Sequence, residues 1–284
     1  MASSIELAAR LSSVVALQQE MLSVINDPEK VMQLVVSRTP EVTNGTGAVI
    51  ELAEDDELVY RAASGAASGK IGLRLGMNNS LSGASVRERR PLRSDNVEGD
   101  PRVNAAAALA MGMRSMIVAP LVHGSEVIGV LKTFSAKASA FDDLDAYTLQ
   151  LLAGMTSSAL MQAHEFRERQ ASEQRYRLLF ERNVAGVFRT TLDGQILDCN
   201  EALASYLGYA SREELLSRQT WDLYHQRSDR EQFLSRLERD KALTNLRLHL
   251  KKKDGSSVTG VVNATIIPAE DGESQVLGTL VEES

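Results

Sequence analysis

The sequence predicts an α+β fold with two domains, each a central antiparallel β-sheet flanked by helices, joined by a long helix. Strand-like runs bounded by turn residues occur both before and after the middle of the chain, mixed with helical segments. Between them, residues 141–182 contain no proline, one glycine and many strong helix formers. We therefore expect domains at residues 1–165 and 183–284, and a helical connector at residues 166–182.

Composition narrows the possible function classes. The 284 residues are 43% hydrophobic and 24% charged, as in soluble globular proteins, and the net charge of −7 offers no basic surface for nucleic acid. No apolar run approaches the roughly 20 residues that span a bilayer. One cysteine excludes an internal disulfide, and the four histidines lack a metal-ligand spacing. We expect a cytoplasmic protein without metal, membrane or nucleic-acid contacts.

The first half opens with two predicted helices and a hairpin. Apolar residues recur at helical spacing over residues 4–25. A second helix is predicted with Asp27 as its cap and Pro28 at its first position, ending before Pro40. The period then changes to that of strands on either side of the acidic turn at residues 54–56, which predicts a β-hairpin.

The remainder of this half alternates again between helices and strands. Residues 80–90 are typical of a helix, a short extended segment follows Pro91, and residues 102–111 form an alanine-rich helix. Two strongly apolar runs then flank the turn His123-Gly124, which predicts a second strand pair. The expected product is an antiparallel sheet with helices on one side.

The long helix changes character along its length. Its first part has an apolar stripe at spacings of three, four and seven, typical of packing onto a domain, whereas residues 164–177 are mostly Glu, Arg and Gln. A helix that is polar on most faces needs a partner, so we expect a homodimer with this helix and the N-terminal helix at its interface. The residues predicted for dimer and relay contacts are Leu151, Met155, Phe166, Tyr176 and Phe180.

The second half predicts two strands, three helices and three strands in that order. The first strand pair turns at Asp193-Gly194, and serine caps open two of the helices. A further turn at Asp254-Gly255 separates two of the later strands. These elements again predict an antiparallel sheet with helices packed against it.

Several motifs connect the first half with a known family. They are the Gly112-Met-Arg-Ser segment before a strand that ends in Ala-Pro-Leu, the Val-Ile-Gly-Val-Leu strand, and Phe141 followed four residues later by Asp145. This half resembles a GAF domain over most of residues 20–165. The resemblance implies a pocket between sheet and helices, closed by residues 74–104, that holds cyclic nucleotides or other metabolites in relatives. The polar residues available there are Asn78, Ser82, Arg93 and Asp95.

The second half is similar to a PAS domain. The matching residues are Phe-x-x-Thr-x-Asp-Gly-x-Ile-x-x-x-Asn-x-Ala at 188–202, Leu-Gly-Tyr at 207–209, Glu-Glu-Leu-Leu at 213–216 and Lys-Lys-Asp-Gly-Ser at 252–256. The resemblance implies a five-stranded sheet cupping a small-molecule or interaction pocket. Candidate lining residues, which fill an ordinary core in the alternative interpretation, are Phe188, Tyr206, Tyr209, Trp221, Phe233 and Leu248.

The two resemblances also imply which cofactors to exclude. Bilin-binding GAF domains and GAF-type free methionine sulfoxide reductases both use cysteines, and this half has none because the single cysteine is Cys199. Flavin-binding photoreceptor PAS domains carry an Asn-Cys-Arg run that is missing here. Haem-binding PAS domains use a histidine on the long PAS helix, whereas His225 precedes that helix. Covalent bilin, photoreceptor-type flavin and haem are disfavoured, and the ligand stays open.

Catalytic motifs are incomplete in this sequence. Residues 64–70 approach a phosphate-binding loop but lack its first glycine and its final hydroxyl. The run from His164 to Arg167 resembles a kinase phospho-acceptor box without its proline. We therefore predict no catalytic residues.

The resulting interpretation is a signal-transduction sensor. The resemblance implies that such tandems precede a histidine kinase or a cyclic-dinucleotide enzyme, and the chain stops at residues 280–284, roughly where the effector linker of relatives starts. An effector domain is thus expected to follow in the gene product. The alternative is a ligand-free module that serves only dimerisation or protein interaction.

Overall fold

The computed structural model describes residues 4–78, 80–269 and 272–283, with the backbone alone for residues 4–7. Two compact units are distinguished, Met1–Arg169 and Gln170–Ser284. The predicted α+β class is confirmed, with an antiparallel sheet and flanking helices in each unit. The domain limits proposed from sequence, at residues 165 and 183, stay predictions.

In the first unit, helices and strands follow in the predicted order, with one additional short strand at Arg74–Gly76. Six of the described strands form one antiparallel sheet in the order β3-β2-β1-β6-β5-β4. The elements are α1 (Ser4–Ser23), α2 (Pro28–Val42), β1 (Gly47–Glu54), β2 (Glu57–Ala63), β3 (Arg74–Gly76), α3 (Leu81–Glu88), β4 (Leu92–Ser94), α4 (Ala105–Ala110), β5 (Ser115–His123) and β6 (Glu126–Ser135), with a 3₁₀ turn at Gly65–Lys70.

Helices cover both faces of this sheet, which corrects the expectation of helices on one side. Successive side chains of a strand point to opposite faces, so Ile50 of β1 packs in the core with α1 and α2, whereas Val49 packs with α3 and α4. The central strands are buried on both faces for this reason. The face toward α3 and α4 carries the candidate site of this unit.

Helix α2 runs through Pro40 to Val42 instead of ending before the proline. Proline cannot donate to the carbonyl four residues earlier, so the carbonyl of Val36 loses its helical partner. The hydroxyl of Ser64 donates to that carbonyl at 2.5 Å. A partner from the chain after β2 thus satisfies the group that the proline leaves open.

A single helix, α5 (Asp143–Glu181), fills the middle of the chain, as the composition of residues 141–182 predicts. Its first part packs into the core of the first unit through Leu149, Leu152 and Leu160. Every residue from 164 to 179 is exposed within the described chain. The predicted change from packed to solvated helix is therefore present.

The second unit contains the predicted two strands, helices and three strands. Five of the described strands form an antiparallel sheet in the order β8-β7-β11-β10-β9. The elements are β7 (Gly186–Thr191), β8 (Ile196–Cys199), α6 (Glu201–Tyr206), α7 (Arg212–Leu216), α8 (Arg227–Asp240), β9 (Ala242–Lys251), β10 (Ser257–Pro268) and β11 (Ser274–Glu282), with a 3₁₀ turn at Thr220–Leu223.

Candidate functional sites

The second unit encloses a small cavity between its sheet and its helices. The cavity measures about 50 Å³ and is mostly apolar. By comparison, a buried water needs roughly 10–15 Å³ measured in this way. The residues that line it are Phe188, Thr190, Ile196, Leu203, Leu207, Thr220, Leu223, Tyr224, Arg230, Phe233, Leu248, Leu250, Val262 and Leu280.

Three of the six residues predicted for this pocket line the cavity: Phe188, Phe233 and Leu248. The other three lie outside its lining. Tyr206 donates its hydroxyl to the carbonyl of Val184 at 2.5 Å, Trp221 donates its indole N–H to the carbonyl of Asp193 at 3.1 Å, and Tyr209 packs in the surrounding core.

The cavity also has polar residues that the sequence analysis missed. Arg230 of α8 is only 2% exposed, and its guanidinium lies 5.2 Å from the ring centroid of Phe233 and 6.0 Å from that of Tyr224. A sequence signal existed, because Arg230, Phe233 and Leu237 share one face of α8 at spacings of three and seven and all are buried. An arginine on the apolar face of an amphipathic helix is a buried cation.

In the first unit, a larger cleft of about 320 Å³ lies between the sheet and helices α3 and α4. Asn78 and Ser82 line it, as the sequence predicts. The other two predicted residues lie in a separate surface cleft, where Arg93 forms ion pairs with Asp95 and Asp143, each at 3.0 Å. The four residues predicted for one pocket therefore lie in two separate clefts, two in each.

The inner wall of this larger cleft contains a buried charged group that the sequence analysis also missed. Lys132 of β6 forms an ion pair with Glu51 of β1 and donates to the hydroxyl of Tyr60 at 2.7 Å. Lys132 and Tyr60 line the cleft. Burial lowers the pKa of Lys132, but the nearby Glu51 charge and Tyr60 hydroxyl outweigh it, so the pKa of this ammonium is raised and it stays charged at neutral pH.

The buried side chain of Asn200 holds the last turn of α5 within the second unit. Its amide donates to the carbonyls of Phe180 at 3.0 Å and of Ala185 at 2.9 Å. Its oxygen accepts from the backbone N–H of Val187 at 2.9 Å and of Leu203 at 3.0 Å. Asn200 therefore links the last turn of α5 to the start of β7 and caps α6.

The five predicted dimer and relay residues differ in their surroundings. Met155 packs against the core of the first unit, Leu151 is partly exposed, and Phe180 is buried in the second unit with its ring stacked on that of Tyr176. Phe166 and Tyr176 are exposed, at 38% and 59%. Two further leucines, Leu178 and Leu179, are also exposed, so this part of α5 has more uncovered apolar groups than the prediction counted.

The cysteine and the two histidines considered as candidate reactive or ligand-binding groups, Cys199, His164 and His225, lie in ordinary surroundings. Burial raises the pKa of the Cys199 thiol to about 12, so it stays protonated at neutral pH. His164 is exposed 3.5 Å from Glu168, and His225 contacts the hydroxyl of Ser257 at 2.8 Å. The residues that the structure describes contain no group of three or more His, Cys, Asp or Glu placed to hold a metal ion.

Comparisons with known proteins give two family matches. The family model of the GAF domain matches residues 26–161, and that of the PAS fold matches residues 174–281. No curated protein matches the chain.

Three solved structures are similar to parts of the chain. A free methionine-R-sulfoxide reductase from Neisseria meningitidis has a TM-score of 0.50 at 20% identity, covering 58% of this chain and 96% of that one. The GAF domain of an Acinetobacter phosphoenolpyruvate-protein phosphotransferase has a TM-score of 0.48 at 16% identity, covering 59% and 99%. A domain of a sensory box sensor histidine kinase/response regulator from Geobacter sulfurreducens has a TM-score of 0.33 at 25% identity, covering 39% and 95%. The likeness to the reductase shows the fold alone.

Proposed function

The chain contains a GAF domain followed by a PAS domain, both signalling sensor modules, and on this premise we propose that it is a cytoplasmic small-molecule sensor that regulates a downstream effector. The effector class we propose is a histidine kinase or a cyclic-dinucleotide enzyme. The observation that carries the proposal is a buried cation beside an internal cleft in each domain, Lys132 in the first and Arg230 in the second. Burying a charge is costly, and Arg230, unlike Lys132 with its partner Glu51, has no carboxylate partner among the described residues, so Arg230 beside a cleft supports ligand binding over plain packing.

We propose that the chain has no catalytic activity of its own. The free methionine-R-sulfoxide reductase of similar fold covers 58% of this chain, and the GAF domain of this chain contains no cysteine. The single thiol, that of Cys199, is buried in the second domain and protonated at neutral pH. Because the thiolate is the reactive form of cysteine, this surrounding supports a structural role.

Helix α5 is the proposed route by which one domain affects the other. It is continuous from Asp143 to Glu181, and Asn200 holds its last turn to the PAS sheet. A helix that moves as one unit transmits rotation or displacement between the elements attached to its ends. A ligand-dependent shift in either domain therefore has a mechanical path to the other.

Native mass spectrometry of the full chain purified from cells tests ligand binding. We expect a dimer mass plus a molecule that is released by denaturation, because the PAS cavity contains a buried guanidinium with unpartnered donors for a ligand to pair with. Arg239→Met, which removes a surface ion pair with Asp240, is a control variant. Its mass spectrum should show the same bound molecule as that of the unmutated chain. A bare dimer from several growth conditions contradicts the sensor proposal and supports the ligand-free interaction module.

A second experiment tests the homodimer. Residues 164–179 of α5 are all exposed within the described chain, and a helix without a packed face is marginal in water. We expect multi-angle light scattering to give a dimer at concentrations on the order of tens of micromolar. Replacing Phe166 and Tyr176 by glutamate should shift the mass to that of a monomer, since each puts a charge into the contact.

The matched control replaces the exposed Ile71, which lies outside α5, by glutamate and should leave the mass unchanged. Circular dichroism checks that each variant is folded. A monomer in the unmutated chain, or a dimer that survives both glutamates, contradicts the proposed contact.

A further inference from the structure

The guanidinium of Arg230 is a buried charge whose donors are incompletely used. Its Nε and Nη2 atoms are shielded from solvent without a hydrogen-bond partner, and no carboxylate among the described residues forms an ion pair with it. The rings of Phe233 and Tyr224 lie within cation–π distance of the guanidinium carbon, and such contacts do not use its N–H donors. Buried donors without partners are rare and costly in native proteins.

Neighbouring residues do not supply a counter-charge. The Tyr224 hydroxyl lies within hydrogen-bonding reach of Arg230, but burial raises the pKa of Tyr224, so the phenol is neutral at pH 7. Asp229, next to Arg230 on α8, lines a neighbouring cleft, and its carboxylate forms no ion pair with Arg230. The positive charge beside the cavity therefore has no anion opposite it within the described chain.

Two threonine hydroxyls that also lack a hydrogen-bond partner line the same cavity. Thr190 of β7 and Thr220 of the 3₁₀ turn each have a buried Oγ1 atom without a hydrogen-bond partner. Together with Arg230 they come from three separate elements, a strand, a turn and a helix. Their convergence on one small space is the arrangement expected for a polar ligand head inside an apolar wall.

The chemistry of these groups defines the ligand. A planar guanidinium with free edge donors pairs best with a carboxylate, through two parallel hydrogen bonds. One unpaired cation calls for one negative charge, and the leucine, valine and phenylalanine side chains around it suit an alkyl tail. A cavity of about 50 Å³ holds about as much as a few waters, which limits the ligand to few heavy atoms.

We propose that the PAS cavity binds a short-chain monocarboxylate of the size of acetate or propionate, with its carboxylate on Arg230 and with Thr190 and Thr220 as further donors. This proposal rests on the proposed sensor function and names the ligand class for one of its two domains. The ligand's charge neutralises the buried guanidinium, and its alkyl end contacts the apolar wall. Binding would thereby couple the metabolite to the packing of α8 against the sheet.

The test is calorimetry of the full chain with sodium acetate and sodium propionate at constant ionic strength. Acetamide, a neutral molecule of the same shape, and sodium chloride are the matched controls. We expect one carboxylate per chain and no heat from either control. Replacing Arg230 by methionine should weaken carboxylate binding by a factor of about 100, since it removes the charge and both hydrogen bonds. Arg236→Met, at an exposed position of the same helix, should bind as the unmutated chain does.

Thermal unfolding without carboxylate separates a binding role from a structural one. If Arg230 serves a ligand, Arg230→Met removes an unpaired buried charge and should unfold at a higher temperature than the unmutated chain. If Arg230 serves the fold through its stacking, Arg230→Met should unfold at a lower temperature. Thr220→Val, which keeps the shape and removes the hydroxyl, should weaken binding about fivefold and provides a second measurement if the arginine variant does not fold.

Three outcomes overturn the proposal: no carboxylate heat with the unmutated chain, equal binding of acetamide, or unchanged affinity in Arg230→Met. In each case native mass spectrometry of the same sample shows whether the proposed sensor function is rejected together with the carboxylate. A different bound molecule leaves the sensor function in place and rejects only the carboxylate. A chain without any bound molecule rejects both.

Discussion

Replacing Lys132 by methionine is expected to lower the free energy of unfolding of the GAF domain by about 3–5 kcal/mol. Glu51 is fully buried, and the Lys132 ammonium is the charged group that pairs with its carboxylate, so the charge of Lys132 is what compensates it. Removing the ammonium leaves an unpaired carboxylate between two strands. The exposed Arg74, which pairs with Glu54 at 2.8 Å and with Glu57 at 3.0 Å, is the control, and Arg74→Met should cost about 1 kcal/mol or less.

Urea unfolding measures this effect domain by domain. The single tryptophan of the sequence, Trp221, belongs to the PAS domain, so its fluorescence follows that domain while circular dichroism follows both. Lys132→Met should lower the urea concentration at which the GAF domain unfolds in circular dichroism. It should leave the unfolding transition seen by Trp221 fluorescence unchanged. Replacing Glu51 by leucine as well should recover most of the loss, because the buried charge is then gone. A double variant as unstable as the single one contradicts this account.

The Lys132 ammonium also makes the stability of the GAF domain depend on pH. The folded-state pKa of Lys132 lies above its unfolded value, because the effects of Glu51 and Tyr60 exceed that of burial. Its contribution is therefore fully present below the unfolded pKa of about 10.4 and is lost as pH rises above it. Burial also raises the pKa of Tyr60, which adds a loss in the same range. We expect the GAF domain of Lys132→Met to lose less stability above pH 10 than that of the unmutated chain.

Asn200→Asp is expected to destabilise the PAS domain by about 3 kcal/mol, from the loss of two buried hydrogen bonds and the repulsion that replaces them. Aspartate keeps the oxygen that accepts from Val187 and Leu203, but it puts a second oxygen where the amide donates to the carbonyls of Phe180 and Ala185. Trp221 fluorescence during urea unfolding measures the effect. The loss of unfolding free energy in Asn200→Asp should become smaller toward pH 4, because the aspartic acid is then protonated and can donate a hydrogen bond again.

Asn183→Asp is the matched control for this substitution. The Asn183 side chain is exposed, and its oxygen accepts from the N–H of Ala185 at 3.0 Å, a bond that aspartate retains. We expect a change within about 0.5 kcal/mol. Equal effects of the two substitutions would show that Asn200 is an ordinary cap rather than the joint between α5 and the PAS core.

Part of the candidate site could be predicted from the sequence. Phe188 and Phe233 lie in a strand and a helix whose pattern assigns them to a core face, and both line the PAS cavity. Tyr206 and Trp221 have the same apolar bulk, but each carries a polar group that donates to a nearby carbonyl outside the cavity. Composition and spacing do not distinguish an aromatic ring that lines a cavity from one held beside it.

By itself the sequence determined the elements of this protein, because turns, caps and periodicity act between residues a few positions apart. Asp27 caps α2, and Asp193-Gly194 turns the first PAS hairpin, as their local patterns predict. The tertiary structure decided which distant residues meet. Strand register places Lys132 beside Glu51, and helix packing brings Arg230 to the same cavity as Thr190. Such pairs are set by long-range packing, which leaves no fixed spacing in the chain to predict them from.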